Sequence, residues 1–331
     1  MMQPVPMAEL WRGGILESQH LGHAVVCDAR GEVIQAWGDP TAVIFPRSSC
    51  KMIQALPLIE SGAAEAAGLS DAQLALACAS HQGAAIHTVP VAAWLKGLGL
   101  GEQDLRCGAH VPTDPEAKAA LIKTDSSPCQ LHNNCSGKHA GFLTLNQHLG
   151  GGSEYTELDH PIQKMILEAF EEVTEETSPG HGIDGCSAPN FATSVHGLAR
   201  AMATFASAHT RADRRSQAAE RLVDAMRAWP ELVAGESRAC TELMRAMDGR
   251  VAIKTGAEAV FVAIIPELQL GVALKITDGS TRAAECAVAA ILVRLGVLDA
   301  AHPATQKRMN TEINSHRGLH AGWFRPAAAL A

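Results

Sequence analysis

The sequence predicts an α+β fold, in which an antiparallel sheet built from strands near both ends of the chain is covered by a helical lobe. Short β-branched runs bounded by turn residues lie near the two ends, and helix-type patterns fill the middle. A hydrophobic fraction of 47% and a charged fraction of 19% are sufficient for a substantial buried core. We therefore expect a single domain over residues 1–331, with the sheet in about 10–45 and 250–300 and the helical portion in about 48–248.

The first predicted strands form a hairpin. Residues 23–27 and 33–36 are rich in β-forming side chains, and Asp28-Ala29-Arg30-Gly31 between them is typical of a turn. Gly38-Asp39-Pro40 then interrupts the pattern. The N-terminal part of the sheet is therefore expected to end before residue 45.

Helical patterns follow from residue 48 to about residue 74. Pro57 is expected to kink the first helix, because proline lacks an N–H group. Ser70 and Gln73 form a capping-box pair, which predicts the start of a second helix. Asp114-Pro115 predicts another start, with proline at the first helical position. Further amphipathic helices are predicted over roughly 138–149, 161–173, 194–208, 211–229 and 238–247.

The pattern changes again towards the C-terminus. Residues 251–254, 259–265 and 269–276 are rich in β-branched side chains and predict three strands, the last two joined by Pro266-Glu267-Leu268. A helix over 281–295 follows them.

Charge and composition exclude several classes of function. A net charge of −8 and a pI near 6.0 argue against a nucleic-acid partner, which proteins bind chiefly through Lys and Arg. The longest apolar run, at 286–293, is far shorter than the ~20 residues of a membrane span, so we expect no membrane partner. The first residues lack the basic and apolar segments of a signal peptide. We expect a cytoplasmic protein whose nine cysteines are reduced.

Ser48 and Lys51 open the first predicted helix in the pattern S-x-x-K. Residues three apart share a helix face, so the Ser48 hydroxyl and the Lys51 amine are expected to meet. A serine becomes an effective nucleophile when a base takes its proton. Lysine is such a base only when its pKa falls from ~10.4 through burial or nearby positive charge. The alternative interpretation is that Ser48 only caps the helix and Lys51 is solvated.

A second motif strengthens the catalytic interpretation. Lys254-Thr255-Gly256 ends a predicted strand, and S-x-x-K on a helix with K-T-G on a strand occurs in penicillin-binding proteins and serine β-lactamases. Their third motif, S-D-N, has one loose counterpart here, Ser80-His81-Gln82. The pair of motifs predicts acyl transfer to a serine.

A separate loop, residues 133–139, carries metal-binding residue types. Its spacing places Cys135 on one helical face with either Lys138 or His139, and Cys186 would complete a zinc site. On spacing alone His139 is the conventional nitrogen ligand, because lysine must be uncharged to bind a metal. The alternative is that these cysteines are small core residues.

Together these segments resemble the asparaginases of the Rhizobium etli type, the asparaginase II family, whose fold is similar to that of penicillin-binding proteins and serine β-lactamases. The resemblance extends over roughly residues 11–280, and Ser187 departs from it because glycine is expected there. The matching segments are 12–18, 45–51, 79–83, 133–139, 182–189 and 254–258.

The resemblance implies roles for individual residues. Ser48 would be the nucleophile and Lys51 its base, while Ser80 and Lys254 would form a second Ser–Lys pair beside them. The residues that it assigns to the substrate pocket are Asp184, Cys240, Arg47 and Asn134.

The resemblance also implies one zinc ion per chain and a homodimer. Cys135, Lys138 and Cys186 would bind the zinc, with water or substrate as the fourth ligand, so Lys138 replaces His139 as the expected nitrogen ligand.

The resulting hypothesis is an L-asparaginase that hydrolyses the side-chain amide of L-asparagine to L-aspartate and ammonia through an acyl-enzyme. The sequence has neither the T-G-G-T nor the G-T-V-G segment of the threonine-dependent asparaginases. Two alternatives stay open: another β-lactamase-like serine amidohydrolase, and a non-catalytic zinc-bearing protein that binds amino acids. Two Ser–Lys pairs favour an enzyme, because binding alone requires neither.

Overall fold

Strands from both ends of the chain pair in one eight-stranded antiparallel sheet, which confirms the predicted α+β class. The computed structural model describes residues 3–330. These residues separate into two units: the first holds the chain up to Ser49, Thr193–Ser207 and the chain from Glu242, and the second holds Cys50–Ala192 and Ala208–Thr241.

The strands, in chain order, are β1 (Val5–Arg12), β2 (Ile15–Cys27), β3 (Val33–Trp37), β4 (Val43–Ile44), β5 (His181–Ile183), β6 (Pro189–Phe191), β7 (Thr193–Ser194), β8 (Ala252–Gly256), β9 (Val260–Ile265), β10 (Leu270–Ile276), β11 (Thr311–Asn314) and β12 (His320–Pro326). The α-helices are α1 (Lys51–Gln54), α2 (Leu56–Glu60), α3 (Ala63–Ala66), α4 (Asp71–Ala77), α5 (Ala85–Gly97), α6 (Pro115–Lys123), α7 (Ser136–Leu149), α8 (Pro161–Thr174), α9 (Val195–Ala206), α10 (Arg214–Ala228), α11 (Pro230–Val233), α12 (Ala239–Ala246), α13 (Thr281–Arg294) and α14 (Pro303–Met309).

The large sheet forms the core of the first unit. Its strand order is β11-β12-β1-β2-β10-β9-β8, and β3 pairs with the end of β2. Strand β9 is buried along its whole length, and helices α9 and α13 pack against the sheet. Gly271 in β10 allows α9 to come close, because a Cβ there would collide with the backbone of Ala199 and Ala203. The apolar β-branched runs of the sequence are thus the buried interior of this unit.

Several strands and helices carry weak sequence signals and were not among the predictions. Strands β1 and β2 are joined by Gly13 and Gly14, whose φ values of +54° and +81° suit a tight hairpin turn. Helix α5 contains Pro90, which obscures its pattern. Residues 23–27 of β2 were predicted as a strand. The other elements outside the predictions are β4, β5, β6, β7, β11, β12, α11 and α14.

Near residue 57 the prediction of one kinked helix is wrong. The chain instead forms the three short helices α1, α2 and α3. Pro57 occupies the first turn of α2, where its missing N–H needs no partner, and Gly62 adopts a φ of +85° just before α3. The capping box of Ser70 and Gln73 and the helix start at Asp114 are confirmed.

Helix α7 is the central element of the second unit. Every residue from Ser136 to Asn146 is buried, and the helix packs against α4, α5 and α3. Gly137 sits where α7 meets α4, since a Cβ at this position would collide with the carbonyl of Leu76. This packing holds the start of α7, which carries the cysteine loop, against the end of α4, which leads into Ser80.

None of the helices between residues 3 and 330 has the length and apolar character that crossing a bilayer requires.

Candidate active site

Lys51 begins helix α1 and is completely buried. Its Nζ atom donates a hydrogen bond to Ser80 Oγ at 3.0 Å and another to the carbonyl of Ala79. The carbonyl of Asn134 lies 3.5 Å from Nζ, and Cys135 Sγ lies 3.1 Å from it. A buried amine is tolerated only when such acceptors replace the water it has lost. The four contacts therefore explain why a lysine occurs in this interior.

The loop after α4 places Ser80 beside Lys51, and His81 braces this loop. The backbone N–H of His81 donates to the carbonyl of Asn134 at 3.2 Å. His81 Nδ1 accepts from the backbone of Gly83 at 3.1 Å, so Nε2 carries the proton and donates to Ser136 Oγ at 3.0 Å. The imidazole thus ties the Ser80 loop to the first turn of α7.

Cys135, Lys138 and Cys186 lie together in the same interior. Lys138 Nζ is 3.1 Å from Cys186 Sγ, and the two sulfurs are hydrogen-bonded to each other. That bond, which Cys135 donates, lowers the pKa of Cys186 well below its usual value and raises the pKa of Cys135 well above it. Lys51 contacts both Ser80 and Cys135, and Cys186 contacts both Cys135 and Lys138. A continuous chain of buried contacts therefore links Ser80 to Lys138.

The two cysteine sulfurs among the predicted zinc ligands are typical zinc donors, and the Lys138 amine can join them only when it is uncharged. Between residues 3 and 330, no three His, Cys, Asp or Glu side chains are placed to hold a metal ion, so a zinc site here requires Lys138. Burial lowers the pKa of Lys138, but the charges of Cys186, Cys135 and Asp184 outweigh burial and raise it. A zinc ion would therefore have to displace a proton from this amine.

His139, the other nitrogen donor considered, contacts both Cys186, to which its ring is hydrogen-bonded, and Tyr155. Its Nδ1 pairs with the hydroxyl of Tyr155 at 2.9 Å, and that hydroxyl accepts from the backbone of Arg106 at 2.8 Å. All of this lies in the interior next to the start of α7.

Ser48 belongs to the first unit, in the 3-10 turn Arg47–Cys50, and is 8% exposed. The turn begins at Arg47, whose φ of +53° is unusual for a residue with a side chain. A Cβ on Gly256 would lie 2.5 Å from the carbonyl of Pro46 and 3.2 Å from the N atom of Ser49. The backbone around Ser48 therefore passes directly against the end of the K-T-G strand, β8, where only glycine fits.

The other predicted residues occupy varied positions. Lys254 is completely buried in β8, and its Nζ donates to the carbonyl of Thr255 at 2.8 Å. Cys240 is buried, and Asp184 is half-buried, with Oδ1 accepting from the N–H of Gly185 at 2.7 Å. Ser187 is exposed and has a φ of +68°, a conformation that glycine adopts without cost. The backbone thus explains why glycine is expected at this position.

The second unit brings together six of the predicted site residues: Lys51, Ser80, Asn134, Cys135, Lys138 and Cys186. Sequence spacing missed two features of this cluster, the hydrogen bond from Lys51 to Ser80 and the contact between Lys51 and Cys135. It also missed the role of His81 in holding the Ser80 loop. The position of His81 next to Ser80 is the sequence feature that pointed to it. The pairings of Ser48 with Lys51 and of Ser80 with Lys254 stay predictions.

Comparison with known proteins identifies a family. The sequence model of the L-asparaginase II family matches residues 8–326. No curated protein matches the chain. Among solved structures, the chain is similar to Mglu in its native form, with 13% identity and a TM-score of 0.46 over 85% of this chain and 66% of the Mglu chain. It is similar to Mglu in its tris and glutamate form, with 15% identity and a TM-score of 0.47 over 91% of this chain and 65% of the other.

A β-lactamase from Mycobacterium bovis is also similar, with 14% identity and a TM-score of 0.47 over 82% of this chain and 94% of that one. The chain thus spans just under two thirds of the length of the Mglu chains.

Proposed function

The chain belongs to the L-asparaginase II family, and from that premise we propose that it hydrolyses the side-chain amide of L-asparagine to L-aspartate and ammonia. The observation that carries the proposal is the buried hydrogen bond between Lys51 and Ser80 in a chain of this family. A lysine amine that is withdrawn from water and bonded to a serine is suited to moving protons, which amide hydrolysis by a serine nucleophile requires.

In this mechanism Ser48 attacks the amide carbon and Lys51 accepts its proton. Backbone N–H groups at the start of the following helix stabilise the oxyanion. The hydrogen bond from Lys51 to Ser80 supports a route for the proton towards the departing ammonia, with Lys254 assisting Ser80. Water then hydrolyses the aspartyl ester and regenerates Ser48.

Four residues are proposed to bind the substrate. Asp184 is half-buried and carries the carboxylate that an α-ammonium group requires, so we assign it to that group. Arg47 would pair with the α-carboxylate, for which a guanidinium is the suitable partner. The remaining pocket residues are Asn134 and Cys240.

We propose that Cys135, Lys138 and Cys186 hold one zinc ion. Bound there, zinc would supply a positive charge that orients the substrate and stabilises the loop. The nucleophile stays Ser48, because a serine already supplies that role. A homodimer and a cytoplasmic location are also part of the proposal, and size-exclusion chromatography with light scattering tests the first.

The decisive experiment measures ammonia release from asparagine and glutamine by the wild-type protein, with and without a zinc chelator, and by two serine variants. Ser48→Ala should lower kcat for asparagine by about a thousandfold or more. Ser49→Ala is the matched control, since this neighbouring buried serine only donates to the carbonyl of Pro46 at 2.7 Å. It should keep turnover within about tenfold. Full activity in folded Ser48→Ala would refute the assignment of the nucleophile.

The same assays separate the two alternatives. Turnover of the chromogenic β-lactam nitrocefin without release of ammonia from asparagine would select another serine hydrolase. Thermal stabilisation by asparagine with no ammonia at high protein concentration would select a protein that only binds amino acids.

A further inference from the structure

The side chain of His81 completes a closed circuit of contacts around Lys51. On one side of the circuit, Lys51 Nζ lies 3.0 Å from Ser80 Oγ and 3.1 Å from Cys135 Sγ. On the other side, His81 Nε2 lies 3.0 Å from Ser136 Oγ. The circuit closes through two peptide bonds, those that join residues 80 and 81 and residues 135 and 136. The hydrogen bond between His81 and Ser136 therefore joins the same two chain segments that Lys51 bridges.

The hydrogen bonds of the His81 side chain run in one direction. Its Nδ1 atom accepts the backbone N–H of Gly83 at 3.1 Å, so the single lone pair of the imidazole is used there and Nε2 carries the proton. Nε2 donates to Ser136 Oγ, and this hydroxyl donates its own proton to the carbonyl of Leu131 at 3.0 Å. His81 is thus the donor in the link from the Ser80 loop to the start of α7.

The orientation of the His81 ring is fixed by its neighbour, His87. The two rings lie 4.8 Å apart and are within 9° of parallel. His87 is itself anchored, since its Nε2 donates to the carbonyl of Glu231 at 2.9 Å. Both histidines are buried, so packing restricts the rotamers of His81 and holds its Nε2 towards Ser136.

One backbone hydrogen bond also joins the two segments, from the N–H of His81 to the carbonyl of Asn134 at 3.2 Å. The N–H of Ser80 instead donates to the carbonyl of Val233 at 2.9 Å. A single hydrogen bond between two segments permits rotation about it, whereas two bonds fix both the separation and the orientation. The side chain of His81 supplies the second of these bonds.

We propose that His81 is a positioning residue for Ser80 and that it acts through its hydrogen bond to Ser136. The bond holds the Ser80 loop and the start of α7 at the separation that Lys51 bridges. When the bond is lost, the loop shifts and the Lys51 amine no longer contacts Ser80 and Cys135 together. Ser80 passes on a proton in the proposed mechanism, so such a shift slows turnover. This effect on turnover, unlike the geometric role, rests on the proposed function.

Two conservative variants of His81 test the link to Ser136. In His81→Gln the amide nitrogen replaces Nε2 and can donate to Ser136, whereas in His81→Asn the amide oxygen replaces Nδ1 and can accept only from Gly83. We expect kcat for asparagine to stay within about threefold of wild type in His81→Gln and to fall about tenfold or more in His81→Asn. KM should change less than about threefold in both. Equal kcat values, or the reverse order, would overturn the proposal.

Ser136→Ala removes the acceptor of the same hydrogen bond. Its kcat should fall as far as in His81→Asn, and the double variant should be no slower than either single variant, because all three lack one bond. Additive losses would overturn the proposal. His87→Phe is the matched control: it keeps a ring against His81 and leaves the bond to Ser136 intact, so kcat should stay within about twofold.

Hydrogen exchange measured by mass spectrometry tests the geometric role without an assay of activity. A peptide that contains residues 79–83 should exchange several-fold faster in His81→Asn than in the wild-type protein, and at the wild-type rate in His81→Gln. Unchanged exchange in His81→Asn would overturn the positioning role. If the wild-type protein releases no ammonia from asparagine, the proposed function fails, and hydrogen exchange still decides whether the bond from His81 to Ser136 holds the Ser80 loop.

Discussion

The Nζ atom of Lys51 lies 3.1 Å from the Sγ atom of Cys135, although the two residues are 84 positions apart in sequence. The residue predicted as a catalytic base therefore touches a residue predicted as a zinc ligand. Both side chains are buried, where little water screens one from the other. The Lys51 charge lowers the pKa of Cys135, so substitution of Lys51 is expected to raise that pKa further, and the proposed proton-transfer and metal-binding roles would then be coupled.

Ser80→Ala tests the hydrogen bond from Lys51. The variant removes one of the four acceptors around the amine, so we expect the free energy of unfolding to fall by about 1 kcal/mol. If Ser80 moves a proton, kcat for asparagine should also fall about a hundredfold or more. Urea denaturation and ammonia release measure the two effects.

The control for this prediction is Ser207→Ala, which removes a buried hydroxyl that donates to the carbonyl of Ala203 at 2.9 Å. It should lose a similar amount of stability and keep its turnover. Equal turnover in Ser80→Ala and Ser207→Ala would exclude a catalytic role for Ser80.

The identity of the nitrogen ligand can be decided by metal analysis. Lys138→Met keeps the length of the side chain and removes the nitrogen, so the zinc content of the purified protein should fall about tenfold or more. His139→Gln should retain zinc, because the proposed nitrogen ligand is Lys138 and His139 contacts Cys186 and Tyr155 by hydrogen bonds. Inductively coupled plasma mass spectrometry measures the metal in each protein. Loss of zinc from His139→Gln alone would show that the choice made from spacing was the right one.

Gly137→Ala tests the close packing of α7 on α4. Alanine favours helix over glycine by about 1 kcal/mol, but its Cβ would collide with the carbonyl of Leu76. The collision involves backbone atoms, so we expect a net loss of about 1–3 kcal/mol in urea denaturation. Gly141→Ala, in the same helix, would place its Cβ 3.4 Å from Ala77 and should be neutral or stabilising. A stable Gly137→Ala would contradict the close approach of the two helices.

The two stacked histidines of the second unit predict a pH dependence of stability. The rings of His81 and His87 lie 4.8 Å apart, and burial lowers the pKa of each, that of His81 well below 6.5. In the unfolded chain both titrate near 6.5, so below that pH the unfolded state binds more protons than the folded state. The free energy of unfolding should therefore decrease as the pH falls below about 6.5, by about 1.4 kcal/mol per pH unit for each histidine.

His87→Phe separates this contribution from the rest of the protein. Phenylalanine keeps an aromatic ring against His81 and removes one titrating group. Urea denaturation between pH 5 and 7 should give a slope that is smaller by about one proton. An unchanged slope would show that His87 does not contribute to the pH dependence.

Much of the fold is visible in the sequence because it depends on local signals. The capping box of Ser70 and Gln73 and the helix start at Asp114 and Pro115 are formed by residues within three positions of each other. Strands β8, β9 and β10 were predicted because their segments are rich in apolar and β-branched residues. Strand β1 is less evident, because its burial is irregular and one of its two neighbours, β12, comes from the other end of the chain.

In the candidate site, too, the sequence predicts some features, namely the residues involved, and does not predict others, namely their contacts. Sequence motifs were enough to select Lys51, Ser80, Cys135 and Cys186 as residues of interest, because each lies in a distinctive segment. They could not show that Lys51 bonds to Ser80 or that it touches Cys135, since those partners are 29 and 84 positions away. Such contacts arise only when α4 and α7 pack together and bring the ends of two loops to one buried point. The hydrogen bond between the two sulfurs then raises the pKa of Cys135 and lowers that of Cys186, a difference that spacing along the chain does not predict.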